Sequence, residues 1–192
     1  MENIAAAGLK RHVRVSVKSL GEVRKPTHRS LPGGLVISNP PYLSRSELEE
    51  LPEDYAQLAG RGLTSTLIHD EVPPDCHPLG PNNKLVFSPG FVTGTPAPTS
   101  ARLSVGAKSP LTGTIKESNV GSEWPQAIAF MRIRALVVEG KPEEKDKFWT
   151  VHLSWDEVAG KPKVEFSPAD DYVGTACQEA FDKVYETFGK VT

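Results

Sequence analysis

Cysteine is nearly absent: 192 residues contain two, Cys76 and Cys177. Two thiols cannot ligate a four-cysteine zinc site or an iron–sulfur cubane, and they build no disulfide framework. Whatever metal chemistry this protein joins, its own sulfurs do not hold the metal. Long apolar runs are missing too, and nothing approaches the ~18 residues needed to span a bilayer. The start, Met1–Gly8, is small and apolar, but Lys10, Arg11 and Arg14 follow it, the reverse of the order in a secretory signal. The expectation is a soluble cytoplasmic protein with no membrane partner. An excess of one charge is also lacking, with 22 basic residues against 24 acidic ones. That balance argues against a disordered tail and against a nucleic-acid partner.

What is present fits a globular chain rich in turns. A chain of this length can bury roughly 70% of the surface its unfolded form exposes. Its 16 Gly and 17 Pro exceed what a helical bundle carries inside its elements. His12–Val17 alternates, placing Val13, Val15 and Val17 on one face of a strand. Leu35–Ser38 is a second short strand. Ser44 with Glu47 reads as a capping box, and Leu48, Leu51, Tyr55 and Leu58 recur at helical spacing. Pro52 should split or kink that helix, and Gly60 should end it. Leu63–Val72 fits strand or helix about equally.

Further on, Leu85–Ser88, Arg102–Ala107, Thr112–Lys116 and Ala135–Glu139 read as strands separated by turn chemistry. Gln126–Met131 is one or two helical turns. Phe148–Ser154 alternates and should pair with Val164–Phe166. At the C-terminus, Ser167 as cap and Pro168 at the first helical position, with Asp170 near the positive end of the dipole, predict a helix over about 168–188. Val173, Cys177, Phe181, Val184 and Phe188 form its apolar stripe, Cys177 packs in the core, and Gly189 stops it. The fold class is α+β, mainly antiparallel sheets with two or three helices.

Between Cys76 and Lys116 there is no Asp or Glu, while Lys84, Arg102, Lys108 and Lys116 fall inside. Phe87–Gly113 holds four Gly, four Pro and eight Ser or Thr. Glycines admit close backbone approach, hydroxyls and N–H groups donate to oxyanions, and missing carboxylates lower the cost of holding a phosphate. The stretch reads as a loop platform for a phosphate-bearing ligand or, more simply, as turns of a β-rich domain that happen to lack acids. Val105–Ser109 is no P-loop, since Ala107 and Arg102 occupy the required glycines, and there is no dinucleotide fingerprint. His12, His28, His69, His77 and His152 are scattered, and His69-Asp70 is an isolated dyad. The acidic run from Glu47 to Asp54 is a solvated helix face. No self-sufficient catalytic constellation and no metal site is found.

The segment Lys84-Leu-Val-Phe-Ser-Pro-Gly-Phe-Val-Thr-Gly-Thr-Pro-Ala-Pro-Thr-Ser-Ala-Arg102 resembles the N-terminal domain of tungsten-containing aldehyde:ferredoxin oxidoreductases. The likeness continues through Lys108-Ser-Pro-Leu-Thr-Gly-Thr-Ile-Lys-Glu-Ser-Asn119-Val-Gly121 to Leu136-Val-Val-Glu-Gly-Lys-Pro142, and is strongest over 55–144. It implies one cofactor-cradling domain over 1–192, the base for a tungsten or molybdenum bis-pyranopterin whose phosphates are bridged by magnesium. Arg102 matches the family's pterin-contacting Arg, and Asn119 and Gly121 match its Asn-x-Gly. Arg61, Lys108 and Thr95 are weaker matches, equally explained by turns and packing.

The resemblance has gaps. Ser122 replaces the family's usual second Gly and is followed by Glu123, Trp124 and Pro125. The later pterin loop, the cluster cysteines and the substrate-side acid and His are absent. The implication is a separately encoded subunit or a domain of a larger enzyme. A partner would carry the [4Fe–4S] cluster and pass electrons to a ferredoxin-like acceptor, and this chain would supply no catalytic group. A non-catalytic scaffold or cofactor-delivery subunit, and a part of a benzoyl-CoA reductase-like complex, are the alternatives.

Overall fold

The computed structural model describes the backbone of residues 14–19, 35–38 and 45–50, and residues 51–140 and 147–189 in full. Nine strands and three helices follow one another within them. They are β1 Arg14–Ser19, β2 Leu35–Ser38, β3 Arg45–Glu50, α1 Gly60–Glu71, β4 Lys84–Pro89, β5 Arg102–Lys108 and β6 Ile115–Gly121. Then come α2 Glu123–Phe130, β7 Ile133–Glu139, β8 Trp149–Asp156, β9 Lys161–Pro168 and α3 Cys177–Phe188. A six-stranded sheet has the order β3-β1-β7-β4-β5-β6, and a three-stranded sheet the order β2-β8-β9. Only the β1–β3 pair is parallel, so the expected α+β class with mainly antiparallel strands holds.

The two faces of the larger sheet build two cores. Val86 of β4 and Ala135 and Val137 of β7 pack under α1, against Leu63, Leu67, Ile68 and Val72. Leu63 and Leu67 are one helical turn apart, which makes a single buried stripe. Phe87, Leu103 and Leu136 point to the other face and meet Ile128 of α2 and Val151 and Leu153 of β8. This alternation of neighbouring residues between two cores is the period-two signature of a sheet covered on both sides.

Several expectations fail. The capping box at Ser44 falls outside the described residues, but Arg45–Glu50 is a strand, not a helix, with Leu48 registered opposite Val17 of β1. Pairing with β1 outweighs the local helical spacing. Leu51, Tyr55 and Leu58 still pack together against the α1 core, through a short 3-10 turn after Pro52. Gly60 starts α1 instead of ending a helix.

At the C-terminus, β9 runs through Pro168, so Ser167 and Pro168 close a strand: the Ser167 and Thr150 hydroxyls lie 2.7 Å apart. Asp170 opens a 3-10 turn, and α3 starts only at Cys177. Cys177 is exposed rather than packed, and Phe181 is 54% exposed. Val184 is buried, and Phe188 lies 4.9 Å from the His152 ring. Gly189 does stop the helix, at φ 73 with its N–H on the Tyr185 carbonyl.

At the far end of α1, Lys84 Nζ lies 2.6 Å from Glu71 and 2.7 Å from Glu139. Burial pulls the lysine pKa down, but the hydrogen bonds and charges of the two carboxylates outweigh it and leave the pKa above 10.5. A raised folded-state pKa gives stability that is complete below the unfolded value and is lost as pH climbs through the folded one. Denaturant midpoints of Lys84→Met and the parent chain should therefore differ most below pH 10.5 and converge above it.

Candidate cofactor platform

The expected site residues come from two adjacent strands. In the β5–β6 pair, Arg102 stands opposite Gly121 and Ser104 opposite Asn119. Alternate positions share a face, so these four form one row on the α1 side of the sheet. The Arg102 guanidinium lies on Gly121: a Cβ there would meet Nη1 at 3.0 Å and Cζ at 3.4 Å. Gly121 gives the guanidinium room to lie there: a Cβ would make the arginine give way by a few tenths of an ångström and a larger side chain would displace it further, and no unusual backbone angle is involved. The Ser104 hydroxyl donates to Asn119 Oδ1 at 3.0 Å, which turns the amide NH2 of that exposed residue outward. The structure thus brings Arg102, Asn119 and Gly121 together.

Behind this row the α1 N-terminus is tied to the sheet. Gly60 has φ 52, a conformation that suits glycine. Its N–H donates to the buried Ser88 Oγ at 3.0 Å, and that hydroxyl donates in turn to the Arg134 carbonyl at 2.9 Å. The loop from Gly90 to Ala101 is closed by the Gly90 N–H on the Arg102 carbonyl and by Thr93 Oγ1, which donates to the carbonyls of Ser100 and Arg102.

The weaker matches are placed elsewhere. Arg61 Nε and Nη2 each lie 2.9 Å from Glu117 Oε2, so the first acid after the acid-free stretch is neutralised. Lys108 is buried, with Nζ donating to the carbonyls of Pro74 and Cys76, and acts as a clamp on the loop after α1. Thr95 Oγ1 donates to the Val92 carbonyl within a turn. Sequence reading missed Ser88 and Ser104, because one hydroxyl among eight Ser or Thr in that stretch carries no signal until the strands are paired.

Among the described residues, no group of three or more His, Cys, Asp or Glu could hold a metal ion, and no helix is long and apolar enough to cross a membrane. What the row offers is a guanidinium fork, an outward amide and open backbone beside a glycine. That donor set suits phosphate oxygens and the polar edge of a heterocycle.

Tungsten-containing aldehyde ferredoxin oxidoreductases of Thermococcus kodakarensis and Pyrococcus furiosus are each 43% identical over 100 residues, 51% of this chain and 16% of theirs. This chain therefore spans about a sixth of the length of those relatives. A second likeness is of another class. A ribosomal RNA large subunit methyltransferase K/L of Cellvibrio japonicus is 52% identical over 61 residues, 31% of this chain and 8% of that protein. Among solved structures, the active site complex BamBC of benzoyl coenzyme A reductase, in complex with 1,5-dienoyl-CoA, matches with a TM-score of 0.57 and 27% identity. It covers 67% of this chain and 18% of that one. The family model described as the aldehyde ferredoxin oxidoreductase N-terminal domain matches residues 43–192. By that match the chain belongs to the aldehyde ferredoxin oxidoreductase N-terminal domain family.

Proposed function

We propose that this chain is the cofactor-cradling part of a tungsten-dependent aldehyde oxidoreductase, completed by further domains or a partner subunit. The observation that carries the reading is the Arg102 guanidinium laid on Gly121 beside the outward amide of Asn119. Arg102 would grip phosphate or pterin oxygens in bidentate fashion, Asn119 would donate its amide, and Gly121 would keep the floor flat. A tungsten or molybdenum bis-pyranopterin with magnesium, held by Arg102, Asn119 and Gly121, would supply the two-electron oxidation of an aldehyde to a carboxylic acid, with water as the oxygen source. This chain's residues would bind and orient it and would move no proton. Electrons would leave through an iron–sulfur cluster on the partner to a ferredoxin-like acceptor, in the cytoplasm.

The test is metal and pterin content, not activity. In the complex isolated from its native host, Arg102→Gln should lower tungsten and pterin per complex about tenfold, the value of one lost charge-assisted fork. Gly121→Val should do the same by displacing the arginine. Wild-type occupancy in both variants would overturn the reading in favour of a scaffold or delivery subunit.

The benzoyl-CoA reductase likeness favours a second reading, in which the same platform serves reduction of a coenzyme A thioester. Assaying the loaded complex with an aldehyde and with benzoyl-CoA separates the two. The methyltransferase likeness covers 8% of that protein, too little to hold both a methyl donor and an RNA substrate, and no such activity is proposed.

A further inference from the structure

Several cations among the described residues are answered within the chain. Arg61 meets Glu117, Lys84 meets Glu71 and Glu139, and Lys108 meets two carbonyls. Two arginines are not. Arg132 Nη2 is enclosed without an acceptor, its guanidinium 5.9 Å from the Trp155 ring centroid, and Arg134 is the more deeply buried of the two. Arg134 is 9% exposed, and its Nε is enclosed with no acceptor. Its guanidinium engages the Phe91 ring, 4.7 Å from Cζ to the centroid, and among the described residues no hydrogen bond or ion pair reaches it. Burial alone lowers its pKa, with no carboxylate opposing the effect. A guanidinium stays protonated even so, and an uncompensated buried charge opposes folding. Its own stability is no reason for such a group, and an anion from outside the chain would balance it.

Its place in the fold says what kind of anion. Phe87 is registered opposite Leu136, which puts Arg134 beside the end of β4, where the Gly90–Thr95 loop begins. Arg102 flanks that same end from the other side, through its carbonyl bond to Gly90, two strand spacings or about 10 Å away. The N–H groups of Phe91, Val92 and Gly94 have no backbone acceptor among the described residues. No acid lies between Cys76 and Lys116 to repel a multiply charged ligand. The guanidinium lies 4.7 Å from the Phe91 ring centroid, and of its nitrogens only Nε is enclosed without an acceptor, which leaves the terminal NH2 groups to meet an oxyanion.

We propose that Arg134 and the Gly90–Thr95 loop bind a phosphate group carried by a small-molecule phosphoester, entering beside Phe91. The site is separate from the Arg102 row and stands whether or not that row holds a pterin. A singly charged carboxylate would leave the surrounding positive potential less well balanced, so phosphate is the preferred oxyanion.

Calorimetric titration of the full chain with inorganic phosphate, at ionic strength fixed with chloride, tests this. Saturable binding is expected for the parent and for the exposed control Lys163→Gln. Arg134→Gln should bind about tenfold more weakly, and Arg134→Lys, which keeps the charge but loses the fork, should fall between. Acetate should bind about tenfold more weakly than phosphate. Equal phosphate affinity in the parent and Arg134→Gln, no saturable binding, or acetate matching phosphate would each overturn the proposal. If Arg134→Gln does not fold, Arg134→Lys decides, and parent-like phosphate affinity there counts against a fork-bound phosphate.

Discussion

Gly106→Val should destabilise the chain by about 3 kcal/mol, the upper end for overpacking a filled core. Gly106 sits in the middle of β5 on the side that α1 covers. A Cβ there would lie 2.8 Å from Thr64 Cβ, 2.9 Å from Ile68 Cδ1 and 3.1 Å from Thr64 Oγ1. Real Cβ atoms do not come that close, and Thr64 and Ile68 are both buried. Thr64 Cβ is fixed to the helix backbone, so rotation of a side chain cannot relieve the contact. The helix has to lift, and lifting it loosens the packing of Leu63, Leu67 and Ile68 together. Urea unfolding should show the midpoint falling with the slope unchanged. The cause is a specific contact, so Thr64→Gly should recover part of the loss in a double variant, and a coupling energy near zero would refute it. A Gly106→Val chain within about 0.5 kcal/mol of the parent would show that α1 is not seated on this strand.

Gly106 also shows what a sequence can disclose. Its strand was readable from alternation, because Leu103 and Val105 face one way and the polar set the other. Its reason for being glycine was not, since the cause lies on a helix some forty residues earlier in the chain. Elements whose signal is local were read well: β4, β5, β7, β8 and the stop at Gly189. Elements decided by pairing were not. β6 is an edge strand whose Lys116-Glu117-Ser118 run is polar on both faces, so alternation is silent, and the expected Thr112–Lys116 strand overlaps only its first two residues. β3 carries helical spacing and a helical cap signature, yet pairs in parallel with β1. In α3, the apolar stripe is real, but its upper half at Cys177 and Phe181 faces outward. Periodicity reports that a face is apolar and says nothing about what, if anything, covers it.

The candidate site divides along the same line. Arg102, Asn119 and Gly121 were named from motif likeness, and strand register explains why they meet: 102 pairs with 121 and 104 with 119. The supporting groups Ser104, Ser88 and Gly60 had no motif to mark them, because their roles consist of single contacts between distant segments. Arg134 lay one residue outside the expected Ala135–Glu139 strand and carried no sequence signal; its burial and the enclosed, unpartnered Nε mark it.

Ser88→Ala should cost about 3 kcal/mol and act first on the end of α1 nearest the platform. The Ser88 hydroxyl is fully buried and serves two backbone groups, accepting from the Gly60 N–H and donating to the Arg134 carbonyl. Removing one oxygen leaves both unpaired at about 1–3 kcal/mol each, and the space vacated is smaller than a water needs. Gly60 has no side-chain cap to fall back on, since Ala59 at the N-cap position offers none. The first turn of α1 should therefore open more often than its middle. Amide exchange at Gly60, Arg61 and Gly62 should quicken more than at Leu67 and Ile68, beyond what global destabilisation explains. Gly60 packs beside the Ser104 hydroxyl that orients Asn119, so the loosening should reach the platform. Tungsten occupancy of the assembled enzyme should then fall in Ser88→Ala although Ser88 touches no cofactor. Uniform exchange along α1, or a loss below about 1 kcal/mol, would show that the helix start is held by something other than this hydroxyl.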